Sequence, residues 1–234
     1  MKLEIKNLKK SFEKKEVLKD INFEFEKGKI YGLLGRNGAG KTTLFNCLNE
    51  DLDIDSGEFY LVDKEKRKIE SNDIGYVLST PVVPEFLTGR EFLKFFIDIN
   101  KDNIKDLKSI DEYFDLVKLD KDDRDKLMKD YSHGMKNKVQ MLVYIIASPK
   151  VLLLDEPLTS FDVVVAEEMK ELLKSIKKDH ILIFSTHIME LALDLCDEIV
   201  VLNKGVLEHV DNNNLTNKQF KNKIIDILKG EEDA

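Results

Sequence analysis

The sequence predicts an α/β fold with a mainly parallel sheet, an N-terminal antiparallel β subdomain and an inserted α-helical subdomain. Three observations predict it. Apolar runs of strand length recur at residues 30–34, 151–154 and 181–184, the pattern of strands buried on both faces of a parallel sheet. Residues 21–26 alternate apolar and polar side chains instead, the period of a strand with one wet face. From 84 to 148 the apolar period lengthens to that of a helix.

The elements follow in order. Gly28 marks a turn, and residues 30–34 enter a glycine-rich loop that continues as a helix over 42–48. Residues 74–77 form a short strand. Thr88-Gly89-Arg90-Glu91 fits a capping box, with Phe92, Phe95, Phe96 and Ile99 following at helical spacing. Tyr113, Phe114 and Val117 mark a second helix within a stretch rich in Lys and Asp. Val139, Leu142, Val143 and Ile146 mark a third, which Pro149 closes. Strand and helix then alternate again. Val165, Met169, Leu172, Leu173 and Ile176 stripe a helix between the strands at 151–154 and 181–184. Residues 199–202 and 206–210 flank Asn203-Lys204-Gly205, a hairpin with a short glycine turn. Residues 215–228 form an amphipathic helix through Phe220, Ile224 and Leu228, and 229–234 fray. The chain divides into a core of 1–83 with 149–234, and a helical insertion over 84–148.

Composition narrows the function classes. The 234 residues carry a formal net charge of −8 with both signs interspersed, so no nucleic-acid partner is expected from bulk charge. The basic cluster Lys64-Glu65-Lys66-Arg67-Lys68 reads as a solvated turn. Cys47 and Cys196 fit no disulfide framework or zinc spacing, and read as free thiols in a reducing compartment. The N-terminus is charged where a signal peptide would be apolar. No window approaches the roughly 18 apolar residues of a membrane span. A membrane role therefore comes through a partner.

Gly35-Arg36-Asn37-Gly38-Ala39-Gly40-Lys41-Thr42 matches GxxxxGK(S/T), with Thr43 next in the helix. Glycines let backbone N–H groups curl inward onto phosphate oxygens, and the following helix adds its positive end. In this loop Lys41 reaches the β- and γ-phosphates and the Thr42 hydroxyl ligates Mg²⁺. ATP and Mg²⁺ are the expected cofactors. Asp155 and Glu156 follow a buried strand, and ligands of open α/β sheets sit at the carboxyl ends of strands. Asp155 holds the Mg²⁺, and Glu156 orients or deprotonates the attacking water. The core is thus a P-loop NTPase core.

Tyr131-Ser132-His133-Gly134-Met135, upstream of Asp155, resembles the LSGGQ signature of the ABC ATPases in its YSxGM form. Ser132 and Gly134 match; Tyr131, His133 and Met135 depart from the commonest letters. The YSxGM form is frequent among bacterial export-type subunits of the ABC-2 class. Ser132 also makes a good N-cap for the helix bearing Val139, and an exposed helix N-terminus attracts phosphate. The resemblance covers almost the whole chain. It implies that Phe12 stacks on adenine, that Leu158-Thr159-Ser160-Phe161-Asp162 is the D-loop with Asp162 its acid, and that His187, after Ser185-Thr186, contacts the γ-phosphate. The family's usual Gln after the strand at 74–77 is Ser79 here, also a metal-side candidate. Its shorter side chain implies slower hydrolysis or a differently tuned link to the membrane partner.

By this resemblance, two subunits, identical or different, pack head to tail. Each ATP then lies between one chain's phosphate loop and the other's Ser132 and Gly134. The resemblance further implies an integral membrane permease partner, contacted near residues 79–86, and a cytoplasmic place on the inner face of the cell membrane. The alternative is a soluble ABC ATPase acting on nucleic acid or ribosomes; such chains usually carry two cassettes or long coiled coils, and this one has one phosphate loop.

Overall fold

The computed structural model describes residues 1–102, 104, 107–158, 161–211 and 216–229. Leu215 at the start of the expected last helix, most of the expected frayed end, and Thr159 and Ser160 of the expected D-loop lie outside them. In chain order the elements are β1 (Lys2–Phe12), β2 (Lys15–Glu26), β3 (Ile30–Leu34), α1 (Lys41–Leu48), β4 (Ser56–Val62), β5 (Lys66–Arg67) and β6 (Ile74–Val77). Then follow α2 (Gly89–Asn100), α3 (Ile110–Leu116), α4 (His133–Ala147), β7 (Val151–Asp155), α5 (Val163–Ile176), β8 (Ile181–Thr186), α6 (Met189–Leu195), β9 (Glu198–Asn203), β10 (Val206–Val210) and α7 (Asn217–Lys229).

Two sheets result. One is antiparallel, ordered β2-β1-β4-β5; the other is ordered β10-β9-β3-β8-β7-β6. The second is parallel from β9 to β6 and ends in the antiparallel β9–β10 hairpin. Its central strands read as continuous apolar runs because both faces are covered. Val151, Leu153, Ile181 and Ile183 pack against the antiparallel sheet and α1. Leu152, Leu154, Leu182 and Phe184 pack against α4, α5 and α6. Each fully buried side chain of this kind contributes about 1.5–3 kcal/mol.

Three elements escape the periodic reading. In β1, Asn7 takes a positive φ of 49°, and the register with β2 shifts between Ile5 and Leu8. The buried set Leu3, Ile5, Leu8 therefore breaks the period of two. In β4 only Tyr60 and Leu61 are buried. The α6 helix has seven residues and no side-chain cap. The cluster at 64–68 is also more than a turn, since Lys66 and Arg67 pair with Val62 and Leu61.

The helices α2, α3 and α4 share a separate apolar cluster built on Leu93, Phe114, Val139 and Leu142. Capping boxes start α2 at Thr88 and Glu91 and α3 at Ser109 and Glu112. Between α3 and α4 the buried Arg124 donates to the Leu119 carbonyl, Asp111 and Asp115, which ties down the Lys/Asp-rich stretch. The expected stripe of α2 needs correction. Leu93 and Ile97 are its buried apolar side chains, whereas Phe95 and Ile99 are 57% and 63% exposed. At about 100° per residue, both point well off the core-facing line.

The strand β6 is anchored at its start by Asp73. Its carboxylate accepts two bonds from Arg67, at 2.7 and 2.8 Å, one from Lys150 at 2.8 Å and one from the Glu70 N–H at 2.9 Å. Lys150 immediately precedes β7, so this junction sets β6 beside β7. Burial alone would raise the Asp73 carboxyl, but the Arg67 and Lys150 bonds hold it well below the usual carboxylate range. A depressed carboxyl stabilises fully above its unfolded value of about 3.9, and that stability is lost as pH falls through the folded value. Asp73→Asn should therefore cost about 2 kcal/mol at pH 7. In urea melts, the gap from the parent chain should narrow as pH drops below about 4.

Candidate active site

Four neighbouring parallel strands end on one side of the sheet and carry the site. The strand β3 runs into the loop 35–40 and then α1. Gly40 takes φ 106°, and a Cβ there would lie 2.8 Å from Val17. A Cβ on Gly35 would lie 2.9 Å from the Leu202 carbonyl oxygen. Glycine is therefore required at both positions, one for its backbone angle and one for close approach. Because Gly40 brings no side-chain cap to α1, the first N–H groups of the helix remain open to an anion.

Lys41 starts α1 and folds back, its Nζ donating to the Gly35 carbonyl at 2.8 Å. Burial lowers the Lys41 pKa, while Glu156 and Asp155 pull it up. A cation short of water and only partly matched by carboxylates is well suited to receive phosphate oxygens.

The end of β7 supplies Asp155, which is buried. Its Oδ2 accepts the Thr42 hydroxyl at 2.8 Å and the Tyr76 hydroxyl at 3.4 Å. Its Oδ1 accepts the Ser185 hydroxyl from β8. One carboxylate thus joins α1, β6, β7 and β8. Glu156 follows with a positive φ of 50°, held there by its N–H donating to the Ser185 carbonyl and hydroxyl oxygens at 3.2 and 3.1 Å. Its Oε1 lies 2.9 Å from His187 Nδ1 and 3.8 Å from Lys41 Nζ. The turn after β8 is fixed by the Ile188 N–H donating to Thr186 Oγ1 at 3.0 Å. Thr42, Asp155 and Ser79 offer only oxygen, a donor set that suits a hard divalent cation.

The loop and the two acids border an open cleft of about 590 Å³. Asn37, Gly38, Ala39, Gly40, Lys41, Thr42 and Thr43 form its floor, and Ser79, Asp155 and Glu156 form one wall. Phe12, Lys15 and Val17 form another; Phe12 is 44% exposed, with Lys10 Nζ 5.4 Å from its ring centre. The lining omits Gly35, Ser132, Gly134, Asp162 and His187; of these, Gly35 and His187 join the site through Lys41 and Glu156. Ser132 caps α4, its Oγ accepting the Met135 N–H at 3.2 Å. Asp162 caps α5 by accepting the Val164 and Val165 N–H groups at 2.9 and 3.0 Å. One chain therefore gathers the loop, the acids, Ser79, His187 and Phe12, and leaves the pentapeptide apart. Sequence reasoning gave no site role to Tyr76, Lys15 and Val17, and placed Ser185 in the segment before His187 without its bonds to Asp155 and Glu156. Ser185 stands two residues before His187, a polar residue inside an apolar strand, and that contrast was the available signal.

The sequence pattern described as ABC transporter matches residues 18–159. An ABC transporter ATP-binding protein of Bacillus subtilis (strain 168), YhcH, is 32% identical over 90% of this chain and 70% of its own. The lantibiotic transport ATP-binding protein SrtF of Streptococcus pyogenes is 30% identical over 95% of this chain and 97% of its own. Among solved structures, CbiO1 of Clostridium perfringens, part of the ABC transporter complex CbiONQ, superposes with a TM-score of 0.72 at 26% identity, over 88% of this chain and 86% of that one.

Removing the Ser185 hydroxyl takes a donor from Asp155 and an acceptor from the strained Glu156 N–H. Ser185→Ala should cost about 1–3 kcal/mol, read as a lower urea midpoint with an unchanged slope.

Proposed function

The chain belongs to the ABC transporter family as an ATP-binding, ATP-hydrolysing subunit, and we propose how its residues divide that work. The observation that carries the reading is the convergence at Glu156, whose Oε1 faces both Lys41 and His187. ATP lies in the cleft with its base on Phe12 and its phosphates on the loop 35–42. Lys41 exchanges its bond to the Gly35 carbonyl for the β- and γ-phosphate oxygens. Thr42, Asp155 and Ser79 hold the Mg²⁺ that accompanies ATP and offsets the charge of its phosphates.

Glu156 accepts a proton from the attacking water as its oxygen bonds to the γ-phosphorus. The bond from that phosphorus to the bridging oxygen breaks, and ADP leaves with the electron pair. His187, hydrogen-bonded to Glu156, keeps the acid aimed and contacts the γ-phosphate.

The second half of the site is supplied in trans. Ser132 and Gly134 open α4 away from the chain's own cleft, which supports a pairing in which each ATP is covered by the other chain's pentapeptide. ATP then favours the closed pair and hydrolysis releases it, a population shift set by nucleotide affinity. No helix among the described residues is long and apolar enough to cross a membrane. We place the subunit on the cytoplasmic face, beneath a separate permease. The YSxGM form supports export as the direction.

Glu156→Gln should retain ATP binding, lose turnover by at least about a hundredfold and accumulate an ATP-dependent dimer on size-exclusion chromatography. Ser132→Arg should abolish turnover while ATP binding by the monomer persists. Turnover near wild type in the first variant, or equal loss of binding and turnover in the second, would overturn these assignments. Tagged protein purified from its native cell in mild detergent should bring down a polytopic membrane protein in near-stoichiometric yield. Recovery with ribosomal or nucleic-acid partners alone would sink the permease assignment.

A further inference from the structure

Lys136, Gln140 and Tyr144 occupy successive i, i+4 positions of α4, which stack along one flank of a helix. Both ends of this stripe are pinned to the same stretch of chain. A Cβ on Gly75, within β6, would lie 2.7 Å from Tyr144 Cδ1. Lys136 Nζ donates to Glu85 Oε1 at 2.6 Å. The two ends stand about 12 Å apart along the helix. The chain from Gly75 to Glu85 is therefore tethered at both ends to this flank, on which Gln140 lies midway.

Gln140 is 7% exposed, and its Oε1 has no hydrogen-bond partner among the described residues. Native proteins pair such buried groups, because an unbonded acceptor away from water costs stability. An acceptor kept there without a donor is suited to one that arrives. Ser79, within that tethered segment, is exposed and lines the cleft.

We propose that Gln140 is a positioning residue for Ser79: when Mg²⁺ and ATP draw the segment 78–80 inward, the Ser79 hydroxyl donates to Gln140 Oε1. A serine hydroxyl has one proton and two lone pairs. Giving the proton to Gln140 turns the lone pairs toward the cation. Ser79 and Gln140 together then span the reach that a single long carboxamide would cover. This rests on the ATP reading of the cleft.

The test measures ATP affinity and ATP-induced thermal stabilisation of the full chain, with Mg²⁺ and with EDTA, for Gln140→Leu, Ser79→Ala and the double variant. Gln140→Leu should melt higher than wild type without nucleotide, because the unpaired buried oxygen is gone. It should bind Mg²⁺-ATP about fivefold more weakly, with affinity in EDTA unchanged. Ser79→Ala should weaken Mg²⁺-ATP binding similarly, and the double variant no further than either single, as expected of one shared contact. Gln140→Glu, which keeps an acceptor, should restore most of the Mg²⁺-dependent affinity even if its resting stability falls. Losses that multiply in the double variant, or a Gln140→Leu affinity equal to wild type, overturn the proposal. Absence of any Mg²⁺-ATP effect in wild type overturns the ATP reading on which it stands.

Discussion

The carboxylate of Asp155 is the constraint on which the rest of the site depends. It sits at the end of a strand buried on both faces, where an unpaired charge would be costly. Three hydroxyls pair it, and they come from α1, β6 and β8. Satisfying one buried acid thus fixes the phosphate loop, the Ser79 strand and the His187 strand relative to one another. Ser185 then passes the order on, because its carbonyl and hydroxyl also hold the Glu156 N–H. A positive-φ glutamate is uncommon, and it persists here because those bonds determine its backbone.

Burial on both faces explains why so much of this architecture could be read from the chain. The runs at 30–34, 151–154 and 181–184 have no polar face to present, so their composition alone marks them as inner strands of a parallel sheet. The phosphate loop was legible because its glycines answer strict demands: Gly40 a positive φ, Gly35 a nearby carbonyl. Edge elements were not legible. The bulge at Asn7 interrupts the alternation of β1, and α6 is too short to establish a period. Phe95 and Ile99 misled for the opposite reason, since helical spacing records which residues align and not which alignment faces the core.

Within the site, sequence spacing located single residues and could not locate their partners. Nothing local to Tyr76 marks its hydroxyl as a donor to an acid 79 positions later. The pentapeptide at 131–135 was found by resemblance, and the fold gives it a physical setting. The helix that it opens belongs to two apolar clusters, through Met141 in one and Val139, Leu142 and Ile146 in the other. That shared helix joins the core beneath the sheet to the helical layer.

The placement of β3 between β8 and β9 also governs the order in which this molecule can be made. Leu34, at the lip of the phosphate loop, pairs with Thr186 on one side and Val201 on the other. During synthesis the loop leaves the ribosome long before either neighbour. At about 5–20 residues per second, the wait is on the order of ten to thirty seconds. The hairpin of β1 and β2 can close early, while the six-stranded sheet must await β8, β9 and β10. Nucleotide cannot assist folding through this site until β8 and β9 have emerged, and until then β3 is an apolar strand without its neighbours.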